Sequence, residues 1–97
     1  MAVIVLAPDA LADLERLRTF LLETDPTAAE HTVELILSGI AVIEHHPLIG
    51  RAVEATLREL VISRGKSGYI ALYRYDEIKD SALVLAIRHQ RETGYVG

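Results

Sequence analysis

The chain of 97 residues has no cysteine and no tryptophan, and its aromatic residues are four tyrosines and one phenylalanine. Without thiols it can form neither disulfides nor thiolate metal sites. Its apolar runs fall far short of the roughly 20 residues that cross a bilayer. The short apolar start also lacks the basic flank of a signal peptide. We therefore predict a cytoplasmic protein that needs no metal and no organic cofactor.

Basic residues are scarce in the first half of the chain. Residues 1–50 carry two arginines against eight acidic side chains, a net charge of −6, whereas residues 51–97 carry a net charge of +2. Nucleic-acid binding depends on many phosphate contacts, so an excess of two cations is a weak signal for it. The apolar fraction of 51% and the charged fraction of 25% are typical of one globular domain spanning residues 1–97.

Apolar periodicity predicts the element order β-α-α-β-β-β, an α+β fold in which a helical hairpin packs on a small, mostly antiparallel sheet. The stretch 48–55 is read as a connector. In the last strand, alternation predicts that Leu83, Leu85 and Ile87 lie opposite Val84, Ala86 and Arg88. The sheet face away from the helices should carry tyrosines and arginines. The predicted elements are a strand at 2–6, helices at 8–23 and 26–44, and strands at 57–63, 69–75 and 82–88.

Five short segments occur in an order that resembles the RelE/ParE superfamily of bacterial toxins. They are ALADLERL from Ala10, PLIGR from Pro47, LREL from Leu57, GYIALYRY from Gly68 and RHQRE from Arg88. The resemblance covers nearly the whole chain. It implies a type II toxin held in a hetero-oligomer by its cognate antitoxin. It also implies one of two targets, because ParE-like members poison DNA gyrase and RelE-like members cut messenger RNA on the ribosome.

Cutting RNA by attack of a 2′-hydroxyl requires a base, an acid and cations around the phosphate. Histidine is the residue type whose unperturbed pKa suits proton transfer near neutral pH, so His89 is a candidate for that role, and Glu59 is a candidate base. The resemblance places Arg64, His89 and Tyr95 at active-site positions of RelE-like toxins. If the chain is a nuclease, these four residues are its catalytic set.

Other residues favour the gyrase alternative. Glu59 lies beside Arg58, Ile70 occupies a position where RelE-like members often carry arginine, and the acidic chain disfavours steering to RNA. The arginines Arg58, Arg88 and Arg91 are then the predicted target contacts. Each of these features also has a plain structural interpretation, since arginines and a lone histidine often solvate a strand end and tyrosines often pack.

A third interpretation is an inactive module that only binds an antitoxin. The acidic hairpin would suit a basic antitoxin segment, and an exposed sheet edge could accept an added strand. We expect the antitoxin to lie along the groove between the two helices. The predicted contacts are Leu17, Leu21, Glu30, Glu34 and Ile36.

Overall fold

The structure is a computed structural model that describes residues 1–64 and 67–96, without the side chains of Arg64 and Ser67. A 3-10 turn at Val42–Glu44 extends the second of its helices. The predicted α+β fold is confirmed, with one strand more than expected. The elements in chain order are β1 (Val3–Leu6), α1 (Pro8–Leu22), α2 (Pro26–Ala41), β2 (Arg51–Glu54), β3 (Leu57–Arg64), β4 (Ser67–Asp76) and β5 (Ser81–His89).

Each helix begins at a proline, whose missing N–H costs nothing in the first turn. Asp25 caps α2, and its carboxylate accepts a hydrogen bond of 3.1 Å from the Ala28 N–H. The link of residues 23–25 is therefore short, and the two helices form the predicted hairpin. Within the described residues, neither helix is long and apolar enough to cross a membrane.

The five strands lie in the order β1-β5-β4-β3-β2, with β1 parallel to β5 and the other pairs antiparallel. The predicted connector at 48–55 was wrong in part, because it contains the edge strand β2. That strand has only four residues, all exposed, so it carries no apolar alternation to reveal it. A register shift between Ala52 and Glu54, and a φ of 40° at Ala55, end it quickly.

The core lies between the hairpin and one face of the sheet, which we call the helix face; the opposite face is the open face. Tyr69, Ala71 and Tyr73 of β4 are all at least 96% buried in this core. The prediction that the tyrosines lie on the face away from the helices was therefore wrong for Tyr69 and Tyr73, and packing is their role. The largest fully buried side chains are Tyr73, Ile36, Ile43, Ile87 and Val84.

A β-bulge in β5 changes which side chains reach each face. Tyr73 pairs with Val84, but Leu72 pairs with Ala86, so Leu85 is an extra residue on β5. Val84 and Ile87 are consequently both buried on the helix face. The strict alternation predicted for this strand was wrong beyond Leu85, because one inserted residue moves every later side chain to the other face.

The bulge is held by a carboxylate from α1. Asp13 is 3% exposed, and its Oδ2 accepts a 2.8 Å hydrogen bond from the Ile87 N–H. A bulge leaves ladder groups unpaired, and a buried unpaired N–H is costly. Asp13 thus ties α1 to the strand that ends at His89.

Candidate functional site

The sheet divides the predicted catalytic residues between its two faces. Glu59 pairs with Leu72 and Arg88 pairs with Ile70, positions that alternate with the buried Tyr69 and Ala71. Glu59 and Arg88 therefore lie on the open face. The C-terminal tail folds over that face, because the Tyr95 hydroxyl donates a 2.5 Å hydrogen bond to Glu59.

Glu59 and Tyr95 form the centre of a small polar network on the open face. Arg51 donates a 3.0 Å hydrogen bond to the other oxygen of Glu59, and the Arg88 guanidinium lies 5.2 Å from the centre of the Tyr95 ring. The hydrogen bond from Tyr95 holds the pKa of Glu59 below its usual value of 4.5. Burial, together with the Glu59 carboxylate, raises the pKa of Tyr95.

His89 lies on the helix face, apart from that network. It pairs with Tyr69, and the two rings meet edge to face with centroids 5.1 Å apart. Its Nδ1 accepts a 3.1 Å hydrogen bond from the Arg91 backbone N–H. In the neutral ring the proton is therefore on Nε2, which leaves that atom as a donor.

His89 borders a cavity of about 510 Å³ between the second half of α1 and the turn after β5. We call this cavity the terminal pocket. Leu17, Leu21 and Tyr69 give it an apolar lining, and Phe20, which is 68% exposed, stands with Arg91 at its border.

An ion pair fixes the turn that borders the terminal pocket. Arg16 on α1 lies 2.9 Å from the Glu92 carboxylate. The same carboxylate accepts a 2.8 Å hydrogen bond from the His89 backbone N–H. Glu92 thus connects α1 to the end of β5 and sets the position of His89.

The predicted target contacts Arg58, Arg88 and Arg91 differ in their surroundings. Arg58 donates hydrogen bonds of 3.2 Å to the Leu48 carbonyl and 2.8 Å to the Gly50 carbonyl, so it braces the 47–50 loop. Arg88 donates 2.8 Å to the Glu92 carbonyl, whereas Arg91 is exposed. The side chain of Arg64 lies outside the described residues.

The predicted antitoxin contacts fall into two groups. Leu17 and Ile36 are at least 93% buried in the core, so they support the groove from below and do not form its surface. Leu21 is half-buried, and Glu34 is exposed on α2. Glu30 lies 3.1 Å from Arg18, an exposed ion pair that joins the two helices.

Asp13, Arg16 and Glu92 also shape the site, although no local pattern predicted their roles. Asp13 and Glu92 act over 74 and 76 positions of chain, in the bonds to Ile87 and Arg16. A single sequence carries no signal for such distant pairs. The one available sign was a charged residue, Asp13, on the apolar side of a predicted helix.

Replacing Tyr95 with phenylalanine should raise the pKa of Glu59 toward its ordinary value and destabilise the protein by about 1–2 kcal/mol at pH 7. The folded pKa of Glu59 lies below the unfolded one, so this contribution is full above about pH 5. It should fade as the pH falls through the folded pKa. The pKa measured by NMR in both proteins tests this expectation.

At alkaline pH the same contact has the opposite dependence. The pKa of Tyr95 is raised on folding, so the stability that it contributes is present below about pH 10 and lost as the pH rises through the folded value. If the pKa of Glu59 is the same in the original chain and in the Tyr95→Phe variant, the tail does not bind the open face in solution.

Comparisons with known proteins agree with this architecture. Residues 4–94 match the family model described as ParE toxin of type II toxin–antitoxin system, parDE. The chain is 37% identical to Toxin RelE3 of Caulobacter vibrioides over 92 residues, which cover 95% of this chain and 98% of that protein.

Two solved structures share the fold. A chain of the chromosomal ParDE system from P. aeruginosa superposes with a TM-score of 0.76 at 20% identity, covering 92% of this chain and 96% of that one. A chain of the intact E. coli RelBE complex gives a TM-score of 0.64 at 15% identity, covering 95% and 100%. The predicted superfamily is thereby confirmed, and the protein belongs to the ParE toxin family of type II toxin–antitoxin systems.

Proposed function

We propose that this toxin arrests growth by acting on DNA gyrase and that a cognate antitoxin neutralises it. The observation that carries the proposal is the division of the catalytic candidates by the sheet. His89 lies on the helix face, whereas Glu59 and Tyr95 lie on the open face. A base and an acid must reach the same phosphodiester to cut it, and these residues do not share a cleft.

The electrostatics of the open face also disfavour RNA cleavage. A general base or acid works best with a pKa near the working pH. The hydrogen bond from Tyr95 lowers the pKa of Glu59, and burial together with the Glu59 carboxylate raises the pKa of Tyr95, so both values lie away from neutrality. The net charge of −4 further disfavours steering to ribosomal RNA.

The second candidate is ribosome-dependent RNA cleavage on the open face alone. The observation in its favour is the cluster of Glu59, Tyr95, Arg51 and Arg88, which combines a carboxylate, a phenol and two cations. This version has no role for His89.

A supercoiling assay with the purified chain and gyrase tests the proposal. We expect the chain to inhibit supercoiling of relaxed plasmid and to increase linear, cleaved DNA. A parallel reaction with programmed ribosomes should leave the messenger RNA intact. Intact gyrase activity with cleaved messenger RNA would establish the second candidate, and no effect in either reaction would indicate an inactive antitoxin-binding module.

The antitoxin should contact the acidic outer surface of α2. Replacing Glu34 with lysine should raise the dissociation constant about tenfold, the equivalent of one lost charge contact of 1.4 kcal/mol. Glu34 is exposed, so its replacement should leave the fold unchanged. Glu30 also pairs with Arg18, so its reversal disturbs the hairpin itself.

Titration calorimetry with the protein encoded beside this one measures the effect. Glu77→Lys, at the distant turn between β4 and β5, is the matched control because it makes the same charge change on another exposed surface. Equal weakening by both substitutions would mean that net charge, and not the α2 surface, determines binding.

A further inference from the structure

The terminal pocket has the size and lining of a binding site. Its volume of about 510 Å³ lies in the range of small-molecule and side-chain pockets. Leu17, Leu21 and Tyr69 supply an apolar lining. Phe20 keeps 68% of its surface exposed at the border, an arrangement that leaves apolar area for a partner to cover.

The polar groups at the border of the terminal pocket are donors. Arg91 is exposed, and within 1–64 and 67–96 no ion pair engages its guanidinium. His89 offers Nε2–H, since its Nδ1 already accepts from the Arg91 backbone. The one carboxylate in the lining, Glu92, is occupied by Arg16 and by the His89 N–H. Among the described charged groups that line the pocket, Arg91 is therefore left without a carboxylate partner, and the Glu92 carboxylate is already paired.

The free cation of the pocket is opposite in sign to the net charge of the first half of the chain. Residues 1–50 have a net charge of −6, and a partner that is basic throughout would be repelled by Arg91. An apolar lining beside a free cation favours an apolar group that has a carboxylate close to it. The chemistry thus defines an anchor different from the basic one expected at Glu34.

We propose that the terminal pocket binds an apolar side chain, aromatic or aliphatic, that has a carboxylate next to it on a segment of the antitoxin. The apolar group fills the space above Leu21 and Tyr69, and the carboxylate meets Arg91 and His89 Nε2. This inference rests on the proposed antitoxin partnership for its source of ligand. The pocket itself can be tested without the antitoxin.

The first test is an NMR titration of the purified chain with 3-phenylpropionate, which combines a phenyl ring and a carboxylate. Saturable shifts should centre on Leu21, Tyr69 and His89. The amide 3-phenylpropionamide has the same shape without the charge and should bind at least fivefold more weakly. Arg91→Gln should weaken the binding of 3-phenylpropionate by a similar factor. Arg74 is an exposed cation of β4, and Arg74→Gln should leave that binding unchanged.

Shifts that do not saturate, or equal affinity for the carboxylate, the amide and the Arg91→Gln variant, would overturn the proposal. The second test measures the affinity of the antitoxin for the variants Phe20→Ser and Arg91→Gln. Each substitution should lower that affinity about tenfold. If the chain fails to arrest growth yet binds the carboxylate selectively, the proposed binding site is supported and the proposed function is wrong. If the antitoxin neutralises every variant equally, the proposed function is kept and the terminal pocket is not an antitoxin site.

Discussion

Replacing Gly50 with alanine should lower the free energy of unfolding by about 3 kcal/mol, because the position has no room for a Cβ. An added Cβ would lie 2.6 Å from Tyr73 Cε1 and 3.0 Å from the Glu59 carbonyl oxygen. The Gly50 N–H also donates 2.9 Å to the Tyr73 hydroxyl, which in turn donates 2.8 Å to the Pro47 carbonyl. Any movement that admits the methyl group breaks this buried chain of bonds.

Urea unfolding of Gly50→Ala beside Gly94→Ala measures the effect. An added Cβ at Gly94 meets no described atom within 4 Å, so the control should change stability by less than about 0.5 kcal/mol. The total free energy of unfolding of such domains is only about 5–15 kcal/mol, so the loss expected for Gly50→Ala is a large part of it. Equal stability of the two variants would mean that the 47–50 loop does not pack against Tyr73 in solution.

Replacing Asp13 with alanine should destabilise the protein by about 2–4 kcal/mol. The change leaves the buried Ile87 N–H without its acceptor and removes the carboxylate 3.6 Å from Arg16. Of the described side-chain bonds between α1 and Ile87, only the longer one of 3.5 Å from Arg16 to the Ile87 carbonyl would then remain. Chemical denaturation followed by circular dichroism measures the loss.

Asparagine at position 13 is the matched control, since its amide oxygen can still accept from Ile87. We expect Asp13→Asn to lower the free energy of unfolding about half as much as Asp13→Ala does. The NMR signals of His89 should shift more in the alanine variant, because the bulge sets the position of that ring. If alanine and asparagine cost the same, the charge of Asp13 and not its hydrogen bond holds the strand.

Local signals in the sequence predicted most of the fold correctly. Pro8, Asp25 and Pro26 mark the helix starts, since proline and a capping carboxylate act within one turn. The long apolar strands β3, β4 and β5 are visible because each has apolar residues over most of its length. The short, exposed β2 has none of these signals, and only its pairing with β3 defines it.

The site was harder to predict because one bulge residue in β5 determines the sheet face on which the later side chains lie. If Leu85 continued the alternation and did not form a bulge, His89 would lie on the open face with Glu59 and Tyr95. The bulge reverses that assignment, and its stabilising contact comes from Asp13, 74 positions away. The predicted catalytic set therefore combined residues of two separate surfaces.

The interpretation of single residues depended on the same long-range contacts. Arg58 was expected to meet a target, but its guanidinium holds the Leu48 and Gly50 carbonyls. The hydrogen bond from Tyr95 to Glu59 holds the C-terminal tail on the open face, a contact over 36 positions of chain that no local pattern predicts. Charge and residue type alone do not separate a bracing contact from a binding contact.

The most direct test of the account is a map of transcript 5′ ends after expression of the chain without its antitoxin. If His89 and the pair of Glu59 and Tyr95 serve separate surfaces, as the fold places them, growth should stop with no new 5′ ends inside reading frames. New ends that appear on induction and disappear in His89→Ala would contradict the account. They would show that His89, on the helix face, takes part in RNA cleavage.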